Sequence, residues 1–303
     1  MYSMYAGDFK TAVAEGSRVL KENPSFEYAL IPIAVSSLAA GDVKGARDAY
    51  DRLAKLSPTG QSLAALGLAD LEMYLGRHKA ALGILRTGIA ADEKRDSTGE
   101  TAQKYVALSE ALLALGQRRQ AVQAAVKATS LSRHESVLFP AARALLLSGD
   151  VEQPEQIAAS LENMLQRHTT AYGRTILGEL AVRKGRLAGG IEMFRDAETR
   201  RDTWFVRFLL GKTYAEAGHY AEALSELELC IKRRGEATDT FIYDTPTLRY
   251  LPPAYYWLGR AQEGLGAKAE AQKNYGEFLK LRAEADSPDP LAVDARKRHA
   301  ALQ

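Results

Sequence analysis

The chain has 303 residues, 46% of them hydrophobic and 26% charged, an ordinary balance for a folded protein. Its 40 Lys and Arg against 38 Asp and Glu leave a formal net charge of +2, without the concentrated basic excess of a dedicated nucleic-acid binder; a single cysteine, Cys230, rules out an internal disulfide framework and a thiolate metal site. No apolar run approaches the ~20 residues that cross a membrane, and the opening MYSMYAGDFK lacks the basic-then-apolar order of a secretory signal, so the expected compartment is cytoplasmic.

From the amino terminus onward the pattern is helical. Windows of helical periodicity follow one another, strand-like alternation is scarce and there are only 10 prolines, so the predicted class is all α. MYSMYA before Gly7 is too short for a full helix, and Ala12 and Pro24 follow it. The first unit therefore reads as truncated, which favours a chain excised from a longer protein. Ser25 is placed to cap the next helix after Pro24 has ended the previous one. Pro32 falls inside that helix and predicts a kink. Ala46 and Tyr50, then Pro58, mark the second unit. Near Gly149 the pattern degenerates, with Pro154 in the position of an alanine, where it suits the first turn of a helix. Further on come Leu177-Gly178 with Gly190 and Phe194, then Leu210-Gly211-Lys212-Thr213-Tyr214 with Ala223 and Leu227, then Leu258-Gly259 with Ala271 and Tyr275.

Glycine followed by a short polar or small stretch and then alanine recurs at Gly7, Gly41, Gly76, Gly116, Gly149, Gly185, Gly218 and Gly266, with successive differences of 34, 35, 40, 33, 36, 33 and 48. The last interval exceeds a plain repeat by about 14 residues (48 − 34) and holds an insertion at about 235–251. Its Phe241, Tyr243 and Tyr250 are too aromatic for a flexible linker, and it is expected to fold back over the array. The tail, 287–303, reads as a capping helix with Asp289 as cap, Pro290 in its first position and Leu291, Ala295 and Leu302 on its apolar side.

The period and these pieces resemble the tetratricopeptide repeat, a helix–turn–helix unit with the pattern W-x2-L-G-x2-Y, A-x3-F, P. The resemblance covers nearly the whole chain. It implies an all-α, right-handed superhelical solenoid of about eight units over residues 1–286, closed by the capping helix 287–303. Each unit would pair helices A and B, the glycine of L-G letting the two backbones approach and the aromatic of A-x3-F filling a wider gap.

In that family the A helices line the concave face, with their second, fifth, ninth and twelfth residues directed into it. Carried onto this sequence, the implied peptide-binding groove holds Tyr28, Asp70, Met73, Glu110, Phe139, Arg143, Tyr172, Glu179, Phe205, Phe208, Lys212, Tyr256 and Arg260. Packing of the same rings against the next repeat is the alternative, weighing equally for Phe205 and Phe208. The polar members form a mixed-charge wall, aromatic and partly basic towards the carboxyl end, suited to a segment with apolar anchors and acidic groups. Val35, Asp70 and Glu110 stand where a chaperone-tail clamp would carry Asn, so that mode is not expected.

No nucleotide-binding, kinase or zinc-ligand spacing appears, the five histidines are scattered, and Cys230 reads as a packing residue. The expectation is therefore a non-enzymatic scaffold with no cofactor and no metal. Its partner would be a protein or peptide segment, not nucleic acid or membrane. Residues 244–266 are similar to the carboxyl-terminal arrays of bacterial eukaryotic-like Ser/Thr kinases and related signalling proteins, which implies a docking or sensor role. The alternative is a self-associating assembly or secretion-related scaffold, and homo-oligomerisation stays open.

Overall fold

The computed structural model describes residues 1–237 and 246–302; Phe241 and Tyr243 of the insertion lie outside them. Among the described residues there are seventeen α-helices, sixteen of them packed as eight sequential pairs. The A and B helices are α1 (Tyr2–Tyr5) and α2 (Phe9–Glu22), α3 (Leu30–Ala39) and α4 (Val43–Leu53), α5 (Pro58–Tyr74) and α6 (His78–Glu93), α7 (Thr98–Ala114) and α8 (Arg118–Leu131). Then follow α9 (Glu135–Ser148) and α10 (Glu152–Asn163), α11 (Arg167–Arg183) and α12 (Leu187–Arg200), α13 (Trp204–Glu216) and α14 (Tyr220–Lys232), α15 (Leu251–Gly264) and α16 (Lys268–Leu281). A final helix, α17 (Pro290–Ala301), packs on α16 as the cap. The architecture is a solenoid of about eight helix pairs plus that cap.

The eight marker glycines explain the period. Each sits in the turn between an A and a B helix with φ between 73° and 105°, a backbone region where a side chain is strained. Short polar residues then start the next helix. Asp8 accepts from Thr11 N at 3.0 Å and Asp42 from Gly45 N at 2.8 Å, capping α2 and α4. Asp289 accepts from Leu291 N and Ala292 N, with Pro290 at the first position of α17 as expected.

Two local expectations change. Ser25 caps no helix. Its N–H and hydroxyl both donate to Asn23 Oδ1, a 3₁₀ turn follows at Glu27–Ala29, and α3 starts only at Leu30. Pro32 therefore stands third in α3, where its missing N–H would have had no intrahelical partner. The late start of the helix takes the place of the expected kink.

The second change concerns the small–large pairing. A Cβ on Gly178 would lie 2.5 Å from the Phe194 ring, one on Gly211 2.6 Å from Leu227, and one on Gly259 2.8 Å from the Tyr275 ring. In each unit the large residue stands 16 positions after the glycine (178 to 194, 211 to 227, 259 to 275). The glycine makes room for the ring of its own B helix, and the ring sits on it rather than in a separate gap.

The array turns back so that parts far apart in the chain touch. Arg234 Nε donates to Ala39 O at 2.9 Å and its guanidinium lies 4.9 Å from the Phe9 ring. On the other side, residues 282–289 dock on the A–B turn of the third unit. Asp286 N donates to Gly76 O at 3.3 Å, and its carboxylate accepts from Lys79 N and Ala80 N at 3.1 Å each, capping α6 from 206 positions away. The buried Arg282 donates to Tyr74 O.

Candidate functional site: the inner wall

Six A-helix residues stand six positions before a marker glycine: Asp70, Glu110, Arg143, Glu179, Lys212 and Arg260. They form the rungs of a ladder up the inner wall. Arg143 and Glu179 are neighbouring rungs of opposite sign and pair directly, Nε to Oε2 at 2.7 Å and Nη2 to Oε1 at 3.3 Å. Asp70 and Glu110 are neighbouring rungs of the same sign. Two carboxylates brought together out of water repel each other and lose hydration, so a cation is required between them.

The cation comes from the insertion. Residues 246–250 run inward onto the wall, with a 3₁₀ turn at Leu248–Tyr250. Arg249 is 5% exposed. Its Nη1 donates to Asp70 Oδ1 at 2.9 Å and its Nε to Glu110 Oε2 at 2.6 Å. The Asp70 carboxylate also accepts two backbone N–H groups, Leu248 at 3.0 Å and Arg249 at 3.2 Å. Tyr250 Oη donates to Glu110 Oε1 at 2.6 Å and accepts from Arg143 Nη1 at 3.2 Å, while the Arg143 guanidinium lies 4.1 Å from the Phe205 ring and 5.2 Å from that of Tyr250. Burial pushes the Asp70 carboxyl above its ordinary value, and the Arg249 guanidinium pulls the other way. Burial also works against the charge on Arg249, but Glu110, Tyr250 and Asp70 more than offset it and hold the group well above its usual range.

The wall therefore is not free along its whole length. At the third to fifth units it holds the chain's own segment, which folds into the hollow rather than over the array. The aromatic candidates are buried among the repeats: Phe139 stacks on Tyr172 with centroids 4.6 Å apart, Phe205 meets Phe139 edge-on at 6.1 Å, and Phe208 stacks on Trp204 at 5.6 Å. Tyr256 belongs to a second cluster with Tyr275 and Phe278, and its hydroxyl donates to Asp294 at 2.7 Å. Tyr28 lies apart, exposed in the 3₁₀ turn beside Phe26.

Two parts of the wall remain accessible. A cavity of about 430 Å³ lies beside Arg249 and Tyr250, lined also by Met73, Glu110, Arg118 and Arg282. Farther up, Lys212 and Arg260 are neighbouring rungs of like positive sign. Lys212 reaches Glu216 of its own helix at 3.9 Å, Arg260 donates to the Tyr256 hydroxyl at 3.3 Å, and both lie within 6 Å of the Trp257 ring, at 5.8 and 5.9 Å. Among the described residues no group of three or more His, Cys, Asp or Glu could hold a metal ion, and no helix is long and apolar enough to cross a membrane. Cys230 is fully buried, with burial pushing its thiol up and Trp204 Nε1 donating to its carbonyl at 2.8 Å.

The tetratricopeptide-repeat family matches residues 2–61, 206–236 and 253–284, and the helix pairs between those stretches continue the same packing. Those stretches are tetratricopeptide repeats, and the whole array has a tetratricopeptide-like fold. No curated protein sequence matches it. Among solved structures, a tetratricopeptide repeat protein from Parabacteroides merdae is similar, with 14% identity, 91% of this chain and 98% of that one covered and a TM-score of 0.51. The APC/C hetero-tetramer Cut9–Hcn1 has 14% identity, covers 98% of this chain and 54% of its own and gives 0.52. A thermophilic repeat protein of Thermus thermophilus is 21% identical over 66% of this chain and 98% of its own, at 0.47. At these identities the likeness to the first two concerns the fold.

Sequence reasoning missed Arg249, Arg282 and Asp286. The signal for the first was present in the ladder: two consecutive acidic rungs, Asp70 and Glu110, with no cationic rung between them.

Proposed function

We propose that this tetratricopeptide-like chain is a non-catalytic protein-interaction scaffold whose inner wall receives a segment of a partner protein. The observation that carries this reading is Asp70. Its carboxylate takes two consecutive backbone N–H groups and a guanidinium from a segment 178 and 179 positions away, the manner in which a carboxylate grips the first N–H groups of a helical turn. The open stretch for an external guest is the cavity beside Tyr250 together with the Lys212–Arg260 pair. Two like-charged rungs beside an indole favour a guest with an acidic group near an apolar or aromatic anchor. A docking or sensor role in a larger signalling protein, which the resemblance over residues 244–266 implies, fits such a groove. The hetero-tetramer formed by Cut9 and Hcn1 is an assembly of a similarly folded chain.

The test is selection of a displayed random-peptide library on the purified protein, followed by titration of the enriched peptides. Enriched peptides should carry Asp or Glu beside an apolar residue, and Lys212→Glu/Arg260→Glu should weaken them at least about tenfold, or about 1.4 kcal/mol, at unchanged helicity. Undiminished binding to the double variant would remove the groove assignment. Light scattering during the same titration distinguishes a peptide scaffold from a self-associating one.

A further inference from the structure

We infer that the acidic pocket between the third and fourth units is a recognition site for an Arg-Tyr segment, filled in cis by Leu248–Tyr250 and open in trans to a partner segment of the same chemistry. This deepens the scaffold reading and rests on it.

The pocket is built by the repeats and only occupied by the insertion. Asp70 and Glu110 lie at the same register of α5 and α7, so stacking alone would bring them together on any plain array. The pocket then selects its occupant. A neutral side chain would leave two neighbouring carboxylates unneutralised in a site where Asp70 is 2% exposed. A lysine would bring one compact charge, whereas the guanidinium fork places Nη1 on Asp70 and Nε on Glu110 at once. The next residue is selected as well. The second oxygen of Glu110 accepts the tyrosine hydroxyl, and Arg143, fixed from behind by Glu179, both donates to that hydroxyl and lies over the ring. The backbone is read through the two N–H groups on Asp70, which a proline at either position would lack.

The cis occupant fits imperfectly. Arg249 Nη2 is buried and has no hydrogen-bond partner among the described residues, an unsatisfied donor that weakens its hold. An external segment bringing a carbonyl or hydroxyl to that nitrogen would compete with it. The adjoining 430 Å³ cavity gives such a segment room to continue past the tyrosine.

The test uses the full chain and a fluorescent acetyl-Pro-Thr-Leu-Arg-Tyr-Leu-amide peptide. Arg249→Ala, which takes the guanidinium out of the pocket and leaves the cis segment only its backbone and tyrosine contacts, should bind the peptide at least about tenfold more tightly than the parent, where the full cis segment competes. Adding Glu110→Gln should remove that gain, and a peptide with Ala for Arg should not bind either protein. If Arg249→Ala folds poorly, Arg249→Lys keeps a charge without the fork and should still gain affinity; guanidinium chloride at low millimolar concentration should also raise the melting temperature of Arg249→Ala above an equal concentration of sodium chloride, while leaving the parent unmoved. The inference is overturned if either folded variant binds the peptide no better than its Arg-to-Ala control. If library-selected peptides still bind the parent in that case, the pocket assignment falls and the scaffold reading stands.

Discussion

The Arg249 guanidinium lies 2.9 Å from the carboxylate of Asp70, which precedes it by 179 positions, and both are almost fully buried. Such a pair holds the insertion in the hollow, yet it is weak ground for net stability, because both charges have left water. The sharper consequence is the penalty for breaking it. Arg249→Ala strands Asp70 and Glu110 and should lower the unfolding free energy by about 3–5 kcal/mol. The triple change Asp70→Asn, Glu110→Gln, Arg249→Met removes the charges together and should cost much less than the single one. Urea unfolding of the two variants against the parent measures the difference; equal losses would mean that packing, not stranded charge, holds the segment.

Most of the fold was legible because its cause is local. A glycine with positive φ every 33 to 40 residues in the regular part of the chain leaves a mark that needs no knowledge of distant contacts. The common register of Asp70, Glu110, Arg143, Glu179, Lys212 and Arg260 was legible for the same reason, as each rung stands at a fixed offset from those glycines. What neighbours each rung was not. Arg249 reaches Asp70 through an insertion that has no periodic relation to the array, and Asp286 reaches α6 only because the solenoid turns back on itself. The aromatic candidates illustrate a different limit. Phe139, Tyr172 and Phe205 are spaced for an inner face, but the same spacing allows a ring to lie between consecutive repeats, and there the large apolar area is removed from water without a guest.

The contact between Gly259 and the Tyr275 ring makes a sign prediction. A methyl on Gly259 would meet two ring carbons at 2.8 and 2.9 Å, while one on Gly83 of α6 meets nothing within 4 Å. Gly259→Ala should destabilise by about 1–3 kcal/mol through overpacking. Gly83→Ala, relieved of glycine's backbone entropy in a helix, should stabilise by about 0.4–1 kcal/mol. The loss at Gly259 should shrink in a Tyr275→Leu background, a coupling that a double-mutant cycle of thermal or urea melts reads directly.

The contact that closes the array has its own signature. Asp286 accepts the N–H groups of Lys79 and Ala80 at the start of α6, the service usually given by a helix's own capping residue. Asp286→Ala should therefore cost about 0.5–2 kcal/mol. Amide exchange should quicken in two distant stretches together, 76–80 and 282–289. Faster exchange in only one of them would show that the two do not open as a unit.

The same contact should be sensitive to acid. His78 Nδ1 lies 2.8 Å from Ser287 Oγ. Burial, and then the charge of Arg282, hold the ring's pKa below its ordinary value, with Asp286, Asp289 and the Gly76 backbone opposing them. The unfolded chain takes up the proton near pH 6.5, whereas the folded chain resists until a lower pH. The contribution of His78 to stability is thus complete above pH 6.5 and is lost as the pH falls from there towards the folded value, by at most about 1.4 kcal/mol per pH unit. Melting temperatures of the parent and of His78→Gln between pH 8 and 5 isolate this residue from the rest of the titration. The parent should lose ground to the variant on acidification, and it should do so with the 282–289 segment showing increased exchange first, since the ring's partners there are the ones its protonation would disturb. A difference between the two proteins that stays flat from pH 8 to 5 would mean that the ring is not held unprotonated in the folded state.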